Sequence, residues 1–194
     1  MSDRYFLWRS RMEDGYCIVK PPDVEDVWEL DIGISRKHTF PADASCRMNP
    51  RYPKDIGLSD NLYGAGVPVI SRKLKEVLEN NLASDRVEYL PVRIIDHKGR
   101  VASGNYFILN PLDIRDCIDT EQSKVEWNSI SPDRITTCEN LVLKYGRIPQ
   151  GQKIFRMKHW EYNILVLSDL VDVLNAAGMT GLVFRDIKGY NGIG

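Results

Sequence analysis

The densest group of carboxylates in the sequence is Asp113, Asp116, Asp119 and Glu121, and its first three members are spaced by three positions. On one helix face that spacing would crowd like charges, raising their pKa values or holding a divalent cation such as magnesium. The stretch Asp116-Cys117-Ile118-Asp119-Thr120-Glu121-Gln122-Ser123 reads more simply as a turn after a strand, where Asp and Ser side chains bond local amides. No catalytic or metal-ligating role is therefore assigned to it. A metal-assisted hydrolase built on the carboxylates of Asp113 to Asp119 stands as a secondary alternative.

Other routes to catalysis lack their residues. Neither G-x-S-x-G nor H-E-x-x-H occurs, and no Cys is placed beside a His to propose a nucleophile and base. Gly64-Ala65-Gly66 is followed by Val67-Pro68, not by the third glycine of a dinucleotide fingerprint or the Lys-Ser/Thr of a P-loop. Cys17, Cys46, Cys117 and Cys138 are scattered, with no C-x-x-C, and read as reduced thiols. His38, His97 and His159 lie far apart and form no H-x-x-x-H. The expectation is no enzyme, no cofactor and no metal.

Aromatic residues point instead to recognition. Tyr52, Tyr63, Trp160 and Tyr162 fall in segments that read as loops, and exposed Tyr and Trp are favoured at interface hot spots because they bury large areas with few rotatable bonds. With Asp113, Asp116 and Glu121 they form the candidate partner-binding set. The acidic segment would mimic nucleic-acid phosphates if the partner were a nuclease.

These residues must be positioned by a fold that 194 residues, 43% hydrophobic and 27% charged, can build as a single domain with one core. The 26 basic residues against 27 acidic give a net charge of −1, so no global field favours nucleic acid or an anionic membrane. No apolar run approaches the roughly 18 residues that span a bilayer, and the opening residues hold no signal-peptide apolar region, so a cytoplasmic protein is expected.

Local pattern supplies the elements. Tyr5-Phe6-Leu7-Trp8 and Val27-Trp28-Glu29-Leu30 are short aromatic-rich runs that favour strands. Residues 36–67, rich in Pro, Gly, Asp and Asn, predict a long irregular excursion in which short elements can hide. Ile70, Leu74, Val77, Leu78 and Leu82 follow helical spacing behind Ser71, a natural N-cap. A strand over Arg86 to Ile95, with an edge position or bulge at Pro91, then turns at Asp96-His97-Lys98-Gly99-Arg100 into a partner strand from Val101 to Leu109. Leu141, Leu143 and Tyr145 alternate like a strand, and Ile154 to Met157 forms another. Ile164-Leu165-Val166-Leu167 enters a second helix capped by Ser168, with Leu170, Val171, Leu174 and Ala177 as its buried stripe and Gly178 as its stop. A last strand covers Gly181 to Ile187. The sum is an α+β fold with a mainly antiparallel, curved sheet and at least two packed helices.

The order of these pieces resembles a known family. Pro68-Val69-Ile70-Ser71-x-x-Leu74-x-x-Val77-Leu78, Val87-Glu88-Tyr89-Leu90-Pro91-Val92, Tyr106-Phe107-Ile108-Leu109-Asn110-Pro111 and Ile118-Asp119-x-x-x-Ser123 are similar to immunity protein family eleven, formerly a domain of unknown function. Ile154-Phe155-Arg156, Leu167-Ser168-Asp169 and Ala177-Gly178-Met179-x-Gly181-Leu182-x-Phe184 continue the likeness. It runs from about Asp55 to Ile187, and the stretch from Asp14 to Pro53 shows none, as a lineage-specific insertion would. The resemblance implies a bacterial immunity protein of a polymorphic toxin system, which binds and neutralises a cognate toxin domain by stoichiometric contact. The alternative is an interaction or assembly subunit without a toxin.

Overall fold

The computed structural model describes residues 4–82 and 86–192. The opening aromatic run forms β1 (Tyr5–Ser10). Val27 to Leu30, expected as a strand, instead enters a single helical turn, α1 (Trp28–Asp31), whose one buried residue is Leu30. An apolar run this short carries no periodicity that separates strand from helix. Here Val27 and Leu30, three positions apart, reach the same core, as one helical turn allows and a strand's alternation does not.

The excursion over 36–67 holds the short strands β2 (Ser45–Arg47) and β3 (Asn61–Leu62) and is stitched to residues 16–19 by the bridges Tyr16↔Gly57, Ile18↔Tyr63 and Val19↔Met48. β4 (Val69–Ser71) runs directly into α2 (Arg72–Asn81), and the Ser71 hydroxyl accepts the Leu74 amide at 3.2 Å, so the expected cap is present. β5 (Val87–Ile95) and β6 (Val101–Pro111) form the expected hairpin. Its turn is closed by Asp96, whose carboxylate accepts the Lys98 and Arg100 amides, with Gly99 at φ +78°. The parallel partner β2 reaches only Arg93 to Ile95, so β5 is an edge at Pro91, and the register slips just beyond, between Val92 and Ile94.

After β7 (Ile114–Arg115), the expected turn at Asp119 contains the short helix α3 (Thr120–Ser123). The hairpin β8 (Val125–Trp127) and β9 (Ile135–Cys138) follows. Leu141, Leu143 and Tyr145 do not form a strand: Leu143 makes one isolated bridge to Ile118, and Tyr145–Arg147 is a 3-10 turn. Leu141 and Leu143 are buried against the core as irregular chain, so burial alone produced their alternation. β10 (Ile154–Met157) leads to β11 (Trp160–Leu167), then α4 (Ser168–Ala176) and β12 (Leu182–Asp186). Ser168 is not a cap, because the N-cap is Leu167 and the Ser168 amide is satisfied by the Arg4 carbonyl at 2.8 Å. Leu170, Val171 and Leu174 are buried as expected, and Gly178 follows the helix at φ +63°.

Where one curved sheet was expected, two five-stranded sheets form, ordered β12-β1-β11-β10-β7 and β2-β5-β6-β4-β3, beside the β8–β9 hairpin. Among the described strands pairing is antiparallel except at β2 with β5 and β7 with β10, and the isolated bridges Tyr16↔Gly57 and Ile18↔Tyr63 are also parallel, which leaves the architecture α+β and antiparallel-rich. In both β4–α2 and β11–α4 a strand runs directly into a helix, and α2 and α4 pack on each other. Between the sheets, Trp8, Ile154, Ile164 and Val166 of one meet Ile70 and Leu109 of the other, with Leu74, Leu78, Leu170 and Leu174 of the helices closing a shared core.

Candidate partner-binding surface

The sequence-selected residues separate by depth. Tyr52, Tyr63 and Tyr162 are 41%, 40% and 50% exposed, whereas Trp160 is 1% exposed. Trp160 and Tyr162 do not lie in a loop, as expected, but on β11, two positions apart and thus on one face. The strand escaped notice because its polar first half hides the continuation of the buried run from Asn163 to Leu167.

The carboxylates do not converge. Asp113 is buried, and its carboxylate accepts the Arg86 amide at 3.3 Å and the Gln152 side chain at 3.1 Å, with Arg115 at 3.5 Å. Asp119 caps α3 by accepting the Gln122 amide, and that hydrogen bond holds its pKa below the ordinary value. Asp116 faces solvent opposite Lys158 at 3.8 Å, and Glu121 is exposed in the first turn of α3. Among the described residues no group of three or more His, Cys, Asp or Glu side chains is placed to hold a metal ion.

Around Tyr162 the side chains are fixed by one another. The Trp160 indole N–H donates to the Tyr162 hydroxyl, and the Trp160 ring meets Tyr190 at 5.6 Å. Burial raises the Tyr162 hydroxyl pKa above its ordinary value. Arg9 of β1 donates to the Tyr190 hydroxyl at 2.6 Å and to the buried Asn163 side-chain oxygen, and its guanidinium lies 5.3 Å from the Tyr190 ring centre. A concavity of about 330 Å³ lies over this group, lined by Trp8, Arg9, Tyr162 and Tyr190. A second, of about 520 Å³, shares Arg9 and Ser10 with it and adds Arg11, Met12, Tyr63, Val183 and Arg185.

On β10, next to β11 in the sheet, a buried arginine fixes the chain around Glu161. Arg156 of β10 is 1% exposed and donates to four main-chain carbonyls: Pro111 at 2.9 Å, Leu30 at 2.7 Å, and Asp31 and Glu161 at 2.8 Å each. Burial disfavours its charge and brings its pKa from 12.5 to about 10. The guanidinium thereby ties α1 and the end of β6 to Glu161, the residue between Trp160 and Tyr162. Gly33, at φ +74°, lets the chain pass this side chain, since a Cβ there would stand 2.9 Å from the Pro111 carbonyl.

Sequence reasoning missed Arg9, Arg11, Met12 and Arg185. The available signal was alternation: Arg9 and Arg11 lie two apart, as do Val183 and Arg185, and β1 pairs Arg9 with Val183. It also missed Trp127 and Ile130 on the β8–β9 hairpin, which are 45% and 90% exposed.

A family model described as Immunity protein family (Imm11) matches residues 10–189. The match runs through 14–53, where the sequence alone showed no likeness and suggested an insertion. No curated protein matches the chain. Among the described residues no helix is long and apolar enough to cross a membrane.

Proposed function

The chain belongs to the Immunity protein family (Imm11), whose members neutralise toxins, and from that premise we propose that it binds a cognate toxin domain of a bacterial polymorphic toxin system one-to-one. The family membership is the observation that carries this reading. It is a non-catalytic inhibitor acting in the cytoplasm of the producing cell, folded as a single domain around the core that both sheets share. Binding alone suffices for this role: blocking a lethal enzyme requires a slow off-rate, not chemistry. A standard interface takes about 800 Å² per partner, a small share of the 10478 Å² accessible surface.

The exposed Tyr52, Tyr63 and Tyr162 supply anchors of the favoured type, and Asp116 and Glu121 the solvent-facing charge. Asp113 and Trp160 support their neighbours from beneath. The test is capture of the tagged protein from its native bacterium at low and high salt, identification of a secreted effector's C-terminal domain by mass spectrometry, and growth rescue on co-expression. Rescue with one-to-one binding in light scattering bears the reading out. An expressed effector domain that neither binds nor is neutralised refutes it.

A further inference from the structure

The second concavity has a charge pattern that the folding of the chain does not require. Its lining brings three guanidinium groups, Arg9, Arg11 and Arg185, to one face with no Asp or Glu among the lining residues. Arg11 comes no nearer than 3.9 Å to Glu13, and its side chain is 62% exposed. Arg185 has no ion-pair partner among the described residues. Gathering like charges costs folding free energy, and the chain as a whole, at −1, is not basic. The excess is therefore local. Arg9 is held by Asn163 and Tyr190 on one side, which orients it before any partner arrives. Between the arginines, Met12 is 58% exposed and Tyr63 40%.

We propose that this concavity, where the end of β1 meets β12, is the docking surface for an acidic segment of the toxin, with Arg11 and Arg185 receiving carboxylates and Tyr63 and Met12 packing on the segment's apolar atoms. The inference rests on the toxin-binding reading and names the chemistry of its partner. Guanidinium groups match carboxylates through paired hydrogen bonds, and Arg and Tyr are the residues that dominate protein interfaces. Nucleic acid fits less well, since phosphate tracking needs an extended basic path and this patch is a single pocket.

The test titrates the 15N-labelled full chain with a capped tetra-aspartate peptide and, separately, with an oligothymidylate of equal charge, following amide shifts by NMR. The expected result is peptide-induced shifts confined to residues 9–12, 63 and 183–185, and their loss in the double variant Arg11→Glu/Arg185→Glu. Both side chains are exposed, so the variant keeps the wild-type melting temperature within about 2 °C. Shifts scattered over the surface, or unchanged in the variant, overturn the proposal, as does stronger binding of the oligonucleotide at the same residues. A second arm measures protection against the captured toxin domain. Where wild type protects, the double variant is expected to lose on the order of a hundredfold in affinity and to fail to protect. Full protection by the double variant places the docking surface elsewhere. Failure of wild type itself refutes the toxin reading, and the peptide arm still decides whether the pocket selects carboxylates.

Discussion

Replacing Arg156 by Met keeps most of the apolar stem and removes the guanidinium, leaving the Leu30 and Pro111 carbonyls buried without that donor and the Asp31 and Glu161 carbonyls half-buried. Four charge-assisted hydrogen bonds, each taken at the low end of about 1.5 kcal/mol, are lost together. Against this stands the residual cost of burying the charge. The fall of the Arg156 pKa from 12.5 to about 10 puts that cost at roughly 3 kcal/mol. The net loss is then about 3 kcal/mol, or a melting point lower by about 6–12 °C for a domain of this size. Urea unfolding followed by tryptophan fluorescence measures it, with the slope of the transition unchanged and the midpoint shifted. Arg156→Lys keeps a charge but cannot span four carbonyls, so it falls between the two. A Met variant within about 1 kcal/mol of wild type would refute the view that this side chain holds α1 and β11 in place.

At Gly181 a Cβ would stand 2.2 Å from the Asn61 carbonyl at φ +73°, whereas at Gly99, φ +78°, it meets nothing within 4 Å. Gly181→Ala should therefore cost at least about 3 kcal/mol and Gly99→Ala about 1–2 kcal/mol, and equal losses in chemical denaturation would contradict the close approach. Burial pushes the thiols up from 9.0, Cys17 to about 11 and Cys46 and Cys117 to about 12, so native protein should resist a disulfide reagent at pH 8 that labels it fully in urea. Folded thiols keep protons that unfolded ones lose, so their contribution is intact below pH 9 and falls by roughly 1.4 kcal/mol per thiol per pH unit above it. Arg156 opposes this above about pH 10, where its folded form releases its proton first. Thermal scans from pH 7 to 11 check the decline, and Cys46→Ala should make it shallower. Charge reversal at Asp116 and Glu121 tests phosphate mimicry by the acidic segment, since unchanged toxin affinity by calorimetry would eliminate it.

What the sequence made legible was local. The helix behind Ser71 and the turn of the β5–β6 hairpin with Gly99 arise from contacts within a few residues, which periodicity and turn chemistry report, and β10 was legible from its apolar run alone. β2 and β3 were invisible for the opposite reason. Ser45 pairs with Arg93 and Asn61 with Ile70, and the bridges from residues 16–19 reach Met48, Gly57 and Tyr63, so what makes these segments strands lies elsewhere in the chain. Arg156 is the one charged residue of β10, all four residues of which are buried, and the carbonyls delivered by α1, β6 and β11, those of α1 and β6 far away in sequence, account for its charge. Among the candidate site residues, Tyr63 and Tyr162 could be chosen by type. The arginines beside them could not, because β1 and β12 lie at opposite ends of the chain and only their pairing makes one patch of Arg9, Arg11 and Arg185.

The position of that patch follows from the sheet order. β12 is an outer strand whose second side has no strand partner among the described residues, a position that invites strand addition and aggregation unless it is blunted. Arg185 and Asp186 on β12, with Lys188 just beyond it, are exposed charges that oppose backbone pairing. Recognition there must then proceed through side chains rather than through an added strand. Each long side chain immobilised on binding costs about 1 kcal/mol, so side-chain recognition gains wherever a group is already ordered. Within the patch Arg9, fixed between Asn163 and Tyr190, is ordered during folding, whereas Arg11 and Arg185 are ordered by the partner at that cost. Arg156 of β10 holds the Glu161 carbonyl on β11, the strand that also carries Asn163, the acceptor of Arg9, so loosening Arg156 should weaken toxin binding even in molecules that remain folded.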